Sequence, residues 1–321
     1  MIKNNKLIAL LGCFLLVVVL YFSFEIEKLY RLKYIEIDSK LKEVSGVEFD
    51  KYQRLWAIND GGDGAYLYQV QNNGEIKRKI LISNGKNIDW EDMTQDDFGH
   101  FFIGDFGNND RNRNWLTIYK IENPIDIKSN ETTAEIIKFS FPKKAIPKLD
   151  SSSGNVDEII NNIEHENIAV NYDLEAFVYF KNQLYLFTKN REEPFDGKTN
   201  LFRVGGYAAN FEAEYINSFT TCTTFKMSCW ITSAAMSPDR TKLVLLDSNR
   251  LWLYENWHED NFFTGDVYII DLGIITQKES VTFVDNDLIV FTDEEFNGIG
   301  GNAYKIKLSE AKLNKVQSAE L

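Results

Sequence analysis

The stretch "NIDWEDMTQDDFGHFFIGDFGNN", residues 87–109, sets six acids among aromatic and β-branched residues. The apolar runs on either side of "DDFG" read as two strands around a turn. Yet Glu91 and Asp92 stand where a strand should bring side chains to a core. The pattern is not confined to this stretch. "VSGVEFDKYQRLWAIND" (44–60), "LEAFVYFKNQLYLFTK" (174–189), "TSAAMSPDRTKLVLLD" (232–247) and "KESVTFVDNDLIVFTD" (278–293) align with "WEDMTQDDFGHFFIGD" (90–105). Each has a small or acidic start, a short apolar strand, a polar turn, and a second apolar strand ending in a polar residue.

Recurrence at this scale is the mark of a repeat architecture. Further β-like runs, "LTIYKI", "EIIKFSF", "NLFRV" and "DVYIIDL", lie between the paired strands. Four strands per unit, repeated radially, predict an all-β fold, a β-propeller. The expected count is five blades, or six if the polar insertion "IPKLDSSSGNVDEIINNIEHEN" (146–167) hides one. After "NAYKIKL" the last unit runs out of strands, and "YRLKYIEID" (30–38) precedes the first. That segment is expected to complete the last blade and remove an exposed sheet edge.

"WAINDGG", "NIDWEDM", "IGDFGNN", "LYLFTK", "ITSAAMSPD" and "QKESVTF" with "FTDE" resemble a group of bacterial extracytoplasmic β-propeller proteins across roughly residues 40–308. More distantly the chain is similar to NHL and gluconolactonase-type propellers, some of which hold calcium on the axis. The axial asparagines of those propellers are not matched. The resemblance therefore implies a fold and a compartment, and no reaction.

At 321 residues, 44% hydrophobic and 14% aromatic, the chain has ample material for a packed core. Its formal charge is −13. A surface that acidic repels phosphate backbones, so nucleic acid is not expected as a partner.

The first residues, "MIKNNKLIALLGCFLLVVVLYFSFE", carry Lys3 and Lys6 and then an uncharged, mostly apolar run from Leu7 to Phe24. The run reaches the lower length of a membrane-spanning helix, and the positive-inside rule places the bulk of the chain outside the cytoplasm. Residues 1–24 are thus expected to be a transmembrane signal anchor, with residues 25–321 as a periplasmic or cell-surface propeller. Two other readings stand beside it: a cleaved signal peptide, and a lipoprotein acylated on Cys13 of "LLGC". Cys222 and Cys229, in "CTTFKMSC", can form a disulfide in an oxidising compartment or remain two buried thiols.

Stacking the five units yields two columns. Ser45, Glu91, Glu175, Ser233 and Glu279 start the first strands, and Asp60, Asp105, Lys189, Asp247 and Asp293 end the second. In a propeller the first strand lines the axis and the second runs antiparallel beside it, so both columns should ring one mouth of the channel. Crowded carboxylates must protonate, pair with Lys189, Arg191 or Arg250, or hold a cation. Glu91, Glu175, Glu279, Asp105 and Asp293 are the expected ligands. With only oxygen donors and no histidine in either column, Ca²⁺ is expected rather than zinc. The competing reading has the aspartates capping turn amides. The function expected is a non-enzymatic binding or scaffold module holding a cation, with a small molecule or glycan as its further ligand. The alternative is a Ca²⁺-dependent hydrolase of a lactone, phosphoester or glycan. There Glu91, Glu175 or Glu279 would be general base and Lys189 the stabiliser of developing negative charge.

Overall fold

Each repeated unit folds into one antiparallel sheet, whose two innermost strands are joined by a turn too short for a parallel crossover. The computed structural model describes residues 2–148, 164–169, 172–191, 195–222 and 226–316, with residues 2–13, 143–148 and 164–169 as backbone only. From the axis outward, blade 1 runs 44–49, 55–59, 66–70 and 76–82. Blade 2 runs 90–95, 101–105, 116–121 and 135–140, and blade 3 runs 173–180, 183–189, 198–205 and 214–220. Blade 4 runs 233–236, 242–246, 250–255 and 266–271. Blade 5 takes 278–283, 288–293 and 302–307 from the end of the chain and 33–36 from near its start.

The innermost strands touch one another in a closed ring, blade 1 meeting both blade 2 and blade 5. Being packed on both faces, they are almost continuously buried; all eight residues of 173–180 are. The outermost strand of blade 1, 76–82, alternates between exposed and covered residues because only one of its faces meets a neighbour. Apolar clusters fill the five interfaces between adjacent blades. Aromatic pairs cross them, such as Trp56 with Phe101 and Phe106 with Phe177, both edge to face.

Closure occurs as expected. Lys33, Ile35 and Glu36 lie opposite Tyr304, Ala303 and Asn302, so the first strand of the chain completes the last blade. The strand is shorter than 30–38, however. Residues 30–32 are the last turn of helix α1, Ile2–Leu32, which also runs through the boundary expected at residue 24. From Cys13 to Leu32 no glycine or proline interrupts it, Glu27 and Arg31 pair one turn apart, and Leu29 is buried against the propeller. Among the described residues no helix is long and apolar enough to cross a membrane; of the span expected over Leu7–Phe24, residues 7–13 are described as backbone only.

The outer edges are stitched between units. Residues 131–132 pair in parallel with the edge of blade 1, and 210–212 with that of blade 2. Residues 314–315 cover blade 4. The insertion forms no sixth blade among the described residues; it contributes a hairpin of 143–148 with 164–169, and 149–163 lie outside the description.

Candidate functional site at the acidic channel mouth

Four innermost strands begin with the same irregularity. Pairing skips one residue between Val44 and Gly46, Trp90 and Asp92, Leu174 and Ala176, and Lys278 and Ser280. The residues skipped are Ser45, Glu91, Glu175 and Glu279. A one-residue bulge leaves its residue out of the ladder and re-aims the side chain, which is how these positions come to line the mouth. Blade 4 has no such bulge; Ser233 pairs directly opposite Leu246. Ser233 therefore does not belong with the glutamates, and Thr232 precedes it as the starting residue.

Ser233 sits one step deeper, level with Asp92 and Ser280. These three side chains join neighbouring blades. Val47 N donates to Ser280 Oγ at 2.7 Å, and Val281 N to Ser233 Oγ at 3.0 Å. Asp92, with no exposed surface, accepts from Met93 N at 2.9 Å, Phe177 N at 3.2 Å, Ala234 N at 3.3 Å and Ser233 Oγ at 3.0 Å. One carboxylate thus ties blades 2, 3 and 4 across the axis. Burial still pushes its pKa well up, the four hydrogen bonds opposing that rise. The two acids that look misplaced in the sequence have separate roles: Asp92 is an axial clamp and Glu91 a mouth residue.

At the mouth, carboxylate oxygens of Asp60, Asp89 and Glu91 all lie within 4.8 Å of one another. Two glycines allow the approach. A Cβ on Gly107 would overlap both Glu91 Oε1 and Asp89 Oδ2, and one on Gly61 would stand 2.8 Å from Ile88 O and 3.3 Å from Asp89 Oδ1. Glu175, from blade 3, contacts the Lys189 ammonium through Oε1. Its Oε2 and the Ser45 hydroxyl are buried without a hydrogen-bond partner among the described residues. Glu279 and Glu294 complete the group from blade 5.

Electrostatics follow from burial and crowding. Burial pushes Glu91 well up, and Glu175 and Asp60 push it further. Glu175 is also well above the usual carboxylate range, through burial, with Lys189 opposing. Glu279 and Glu294 are raised to about 8 and Asp60 to about 6, in each case chiefly by burial. The Lys189 pKa is raised by Glu175, Glu279 and Glu91, although its burial acts the other way. Lys189 and Arg191 lie 5.1 and 4.4 Å from the ring centre of Trp230. Trp230 follows Cys229, which is bridged to Cys222 with Cα atoms 5.3 Å apart.

The second column divides. Asp60 and Lys189 face the mouth, whereas Asp105, Asp247 and Asp293 are engaged by their own blades. Asp105 accepts from Arg113 Nη2 at 2.9 Å and Asp89 N at 3.1 Å. Asp247 caps Asn249 N and Arg250 N and takes Arg250 Nε and Trp252 Nε1 at 2.8 and 2.9 Å. Asp293 accepts from Asn302 N at 3.0 Å and Tyr304 Oη at 2.8 Å. Of the five expected ligands, only Glu91 belongs to the tight carboxylate triad; Asp60 and Asp89 are its other members. The missed Asp89 had a signal in the sequence, since "DWE" (89–91) recurs as "DLE" (173–175), two residues ahead of the bulge glutamate each time. In the second copy, Asp173 is taken by Arg191 Nε and Asn108 N, both at 2.8 Å.

An all-oxygen triad beside further acids suits a hard divalent cation. Among the histidines whose side chains are described there is no alternative centre: His100 pairs with Asp96 at 2.7 Å in a turn, and His258 lies in the loop after blade 4's third strand.

No protein-family model and no curated protein matches the chain. Solved structures with a similar overall course are β-propeller proteins. They include the gluconolactonase XC5397 from Xanthomonas campestris, at 9% identity over 84% of this chain and 72% of that one, TM-score 0.42. Virginiamycin B lyase from Staphylococcus aureus is similar at 12% identity over 83% of this chain and 66% of that one, TM-score 0.37. The Cps50 (Swd1) β-propeller domain of Myceliophteria thermophila matches at 9% identity over 82% of this chain and 95% of that one, TM-score 0.39. At these identities the likeness concerns the fold alone.

Proposed function

We propose that this propeller is a binding module whose acidic mouth takes a divalent cation, Ca²⁺ by preference. A small oxygen-rich ligand such as a glycan fragment would complete the ion's coordination. The observation that carries this reading is the carboxylate triad of Asp60, Asp89 and Glu91, drawn within 4.8 Å by glycines that leave room for nothing else. One oxygen from each of the three carboxylates gives three ligands of the ~6–8 that Ca²⁺ accepts, which leaves positions for the ligand and water. The test is calorimetric titration of Ca²⁺ into chelator-treated protein, beside Asp89→Asn. Heat of binding in the parent and its loss in the variant support the reading; no heat in the parent sinks it.

The alternative is a Ca²⁺-dependent hydrolase of a lactone, phosphoester or glycan. It is favoured by Glu279, whose pKa of about 8 suits proton transfer near neutrality. In that role Glu279, Glu175 or Glu91 would take a proton from water, and Lys189 would stabilise charge developing on the substrate oxygen. Turnover of model esters that disappears in Glu279→Gln, with Ca²⁺ binding kept, would decide for it.

We also read α1 as an anchor that holds the propeller at a membrane outside the cytoplasm. The apolar run 7–24 supports this, and so does the Cys222–Cys229 bridge, which suits an oxidising compartment.

A further inference from the structure

Residues 25–32 fix the direction in which α1 leaves the propeller. Leu29, 2% exposed, enters the cluster between blades 4 and 5 with Ile270, Leu272 and Tyr304. Gly273, at φ +93°, admits the helix backbone: a Cβ there would stand 2.7 Å from Glu25 O. Lys28 pairs with Asp271. The helix is thus seated on the propeller through its last two turns. N-terminal to this footing Phe14, Leu15, Leu16, Val17, Leu20 and Phe24 are each more than half exposed.

Where the helix meets the blades a cleft of about 640 Å³ opens, lined by Lys28, Arg31, Lys305, Lys307 and Lys312 against Asp271 and Glu310. In a chain of net charge −13 this is a local reversal of sign. Lys28, Arg31 and Lys307 are neutralised by Asp271, Glu27 and Glu310. Lys305 lies over the Tyr34 ring at 4.8 Å, and it and Lys312 have no carboxylate partner among the described residues. Arg31 follows Phe24 by seven residues, about 10 Å along a helix axis. A headgroup layer is roughly 5–8 Å deep. With the apolar part of α1 in hydrocarbon, the cleft therefore opens at or just beyond the headgroups, beside the exposed Tyr30, a residue type suited to that depth.

We propose that this cleft seats the phosphate of an anionic phospholipid headgroup, holding the rim of blades 4 and 5 against the membrane. The proposal rests on the anchor reading of α1, and the experiment separates the two. The full-length chain is placed in lipid nanodiscs of phosphatidylcholine, with or without about 30% phosphatidylglycerol. Hydrogen exchange is followed over 266–271 and 302–316. Exchange should slow in the anionic discs, and Lys305→Glu with Lys312→Glu should remove the difference, at roughly fivefold per cation. Lys305→Gln with Lys312→Gln, a milder pair, should give an intermediate loss. Equal exchange in the two lipids overturns the proposal. So does an equal slowing by free glycerol phosphate in detergent, which would mark a small-anion pocket. A chain that resists carbonate extraction but ignores phosphatidylglycerol keeps its anchor and loses this site. One that is extracted, yet still protected by anionic lipid, does the reverse.

Discussion

Lys189 contacts one oxygen of Glu175, and the other oxygen of that carboxylate is buried without a hydrogen-bond partner among the described residues. The pair is asymmetric: one internal cation serves several acids and satisfies half of one. Both side chains are nearly inaccessible, at 11% and 4% exposure, so removal of the lysine cannot be made good by solvent. Lys189→Met should cost roughly 3 kcal/mol in metal-free protein, less to the extent that Glu175 takes up a proton. If a cation binds nearby, the variant should gain more from Ca²⁺ than the parent does. Chemical denaturation with Ca²⁺ and with chelator measures both effects. Equal Ca²⁺ gains in variant and parent would uncouple the lysine from the ion.

The raised acids give a pH dependence with a definite sign. Glu279 and Glu294 hold protons up to about pH 8 when folded, against an ordinary value of 4.5. Between those values the unfolded chain binds fewer protons than the native one, so stability falls as pH rises. Their contribution is fully present below about pH 4.5 and lost by about pH 8. In chelator the melting temperature should therefore drop across this window, against the usual trend for carboxylates paired with cations. Ca²⁺ replaces the protons, so its stabilisation should grow over the same range. A melting temperature in chelator that is flat or rising from pH 5 to 8 would show the mouth acids to be already compensated.

Asp92 bears on the fold more than on the ion. Asp92→Ala would orphan Phe177 N, Ala234 N and Ser233 Oγ in one fully buried place. Each unpaired group costs about 1–3 kcal/mol, so loss of cooperative folding at ambient temperature is expected. Asp92→Asn keeps one acceptor oxygen and should be the milder change. Equal stability of Asn and Ala variants in urea would refute the clamp.

The blades were legible because each unit repeats two short apolar strands around a polar turn, and five such copies outweigh the divergence of any one. Closure was legible because 302–307 lacked an outer partner. What escaped was one-residue geometry. Reading Ser233 with the glutamates assumed equal spacing, and only pairing registers reveal that blade 4 lacks the bulge. Whether an aspartate caps its own blade or turns to the axis depends on partners such as Arg113 and Tyr304, which the sequence does not place beside it. The end of α1 was misplaced for a similar reason: "YRL" suits strand and helix alike, and the burial of Leu29 decides for helix.

Gly107 provides the most selective test of the triad. Its backbone donates to Asp89 O at 3.1 Å, so the loop that carries it is tied to the segment that carries two of the acids. A methyl group there would overlap Glu91 Oε1 and Asp89 Oδ2. The side chains must swing apart, since the hydrogen bond and the buried Phe106 hold the backbone in place. Gly107 is not among the positions with positive φ, so alanine adds no backbone strain, and only a modest change in metal-free stability is expected. The Ca²⁺-dependent gain in melting temperature should nevertheless collapse, because the three carboxylates no longer converge. By mass action that gain is about 2.7 kcal/mol at a hundredfold excess over the dissociation constant, and it falls as affinity falls. Asp89→Asn should show the same collapse with its charge removed but its shape kept. A Gly107→Ala protein that folds and still gains fully from Ca²⁺ would place the ion elsewhere on the ring, with Glu175 and Glu279 the remaining donors.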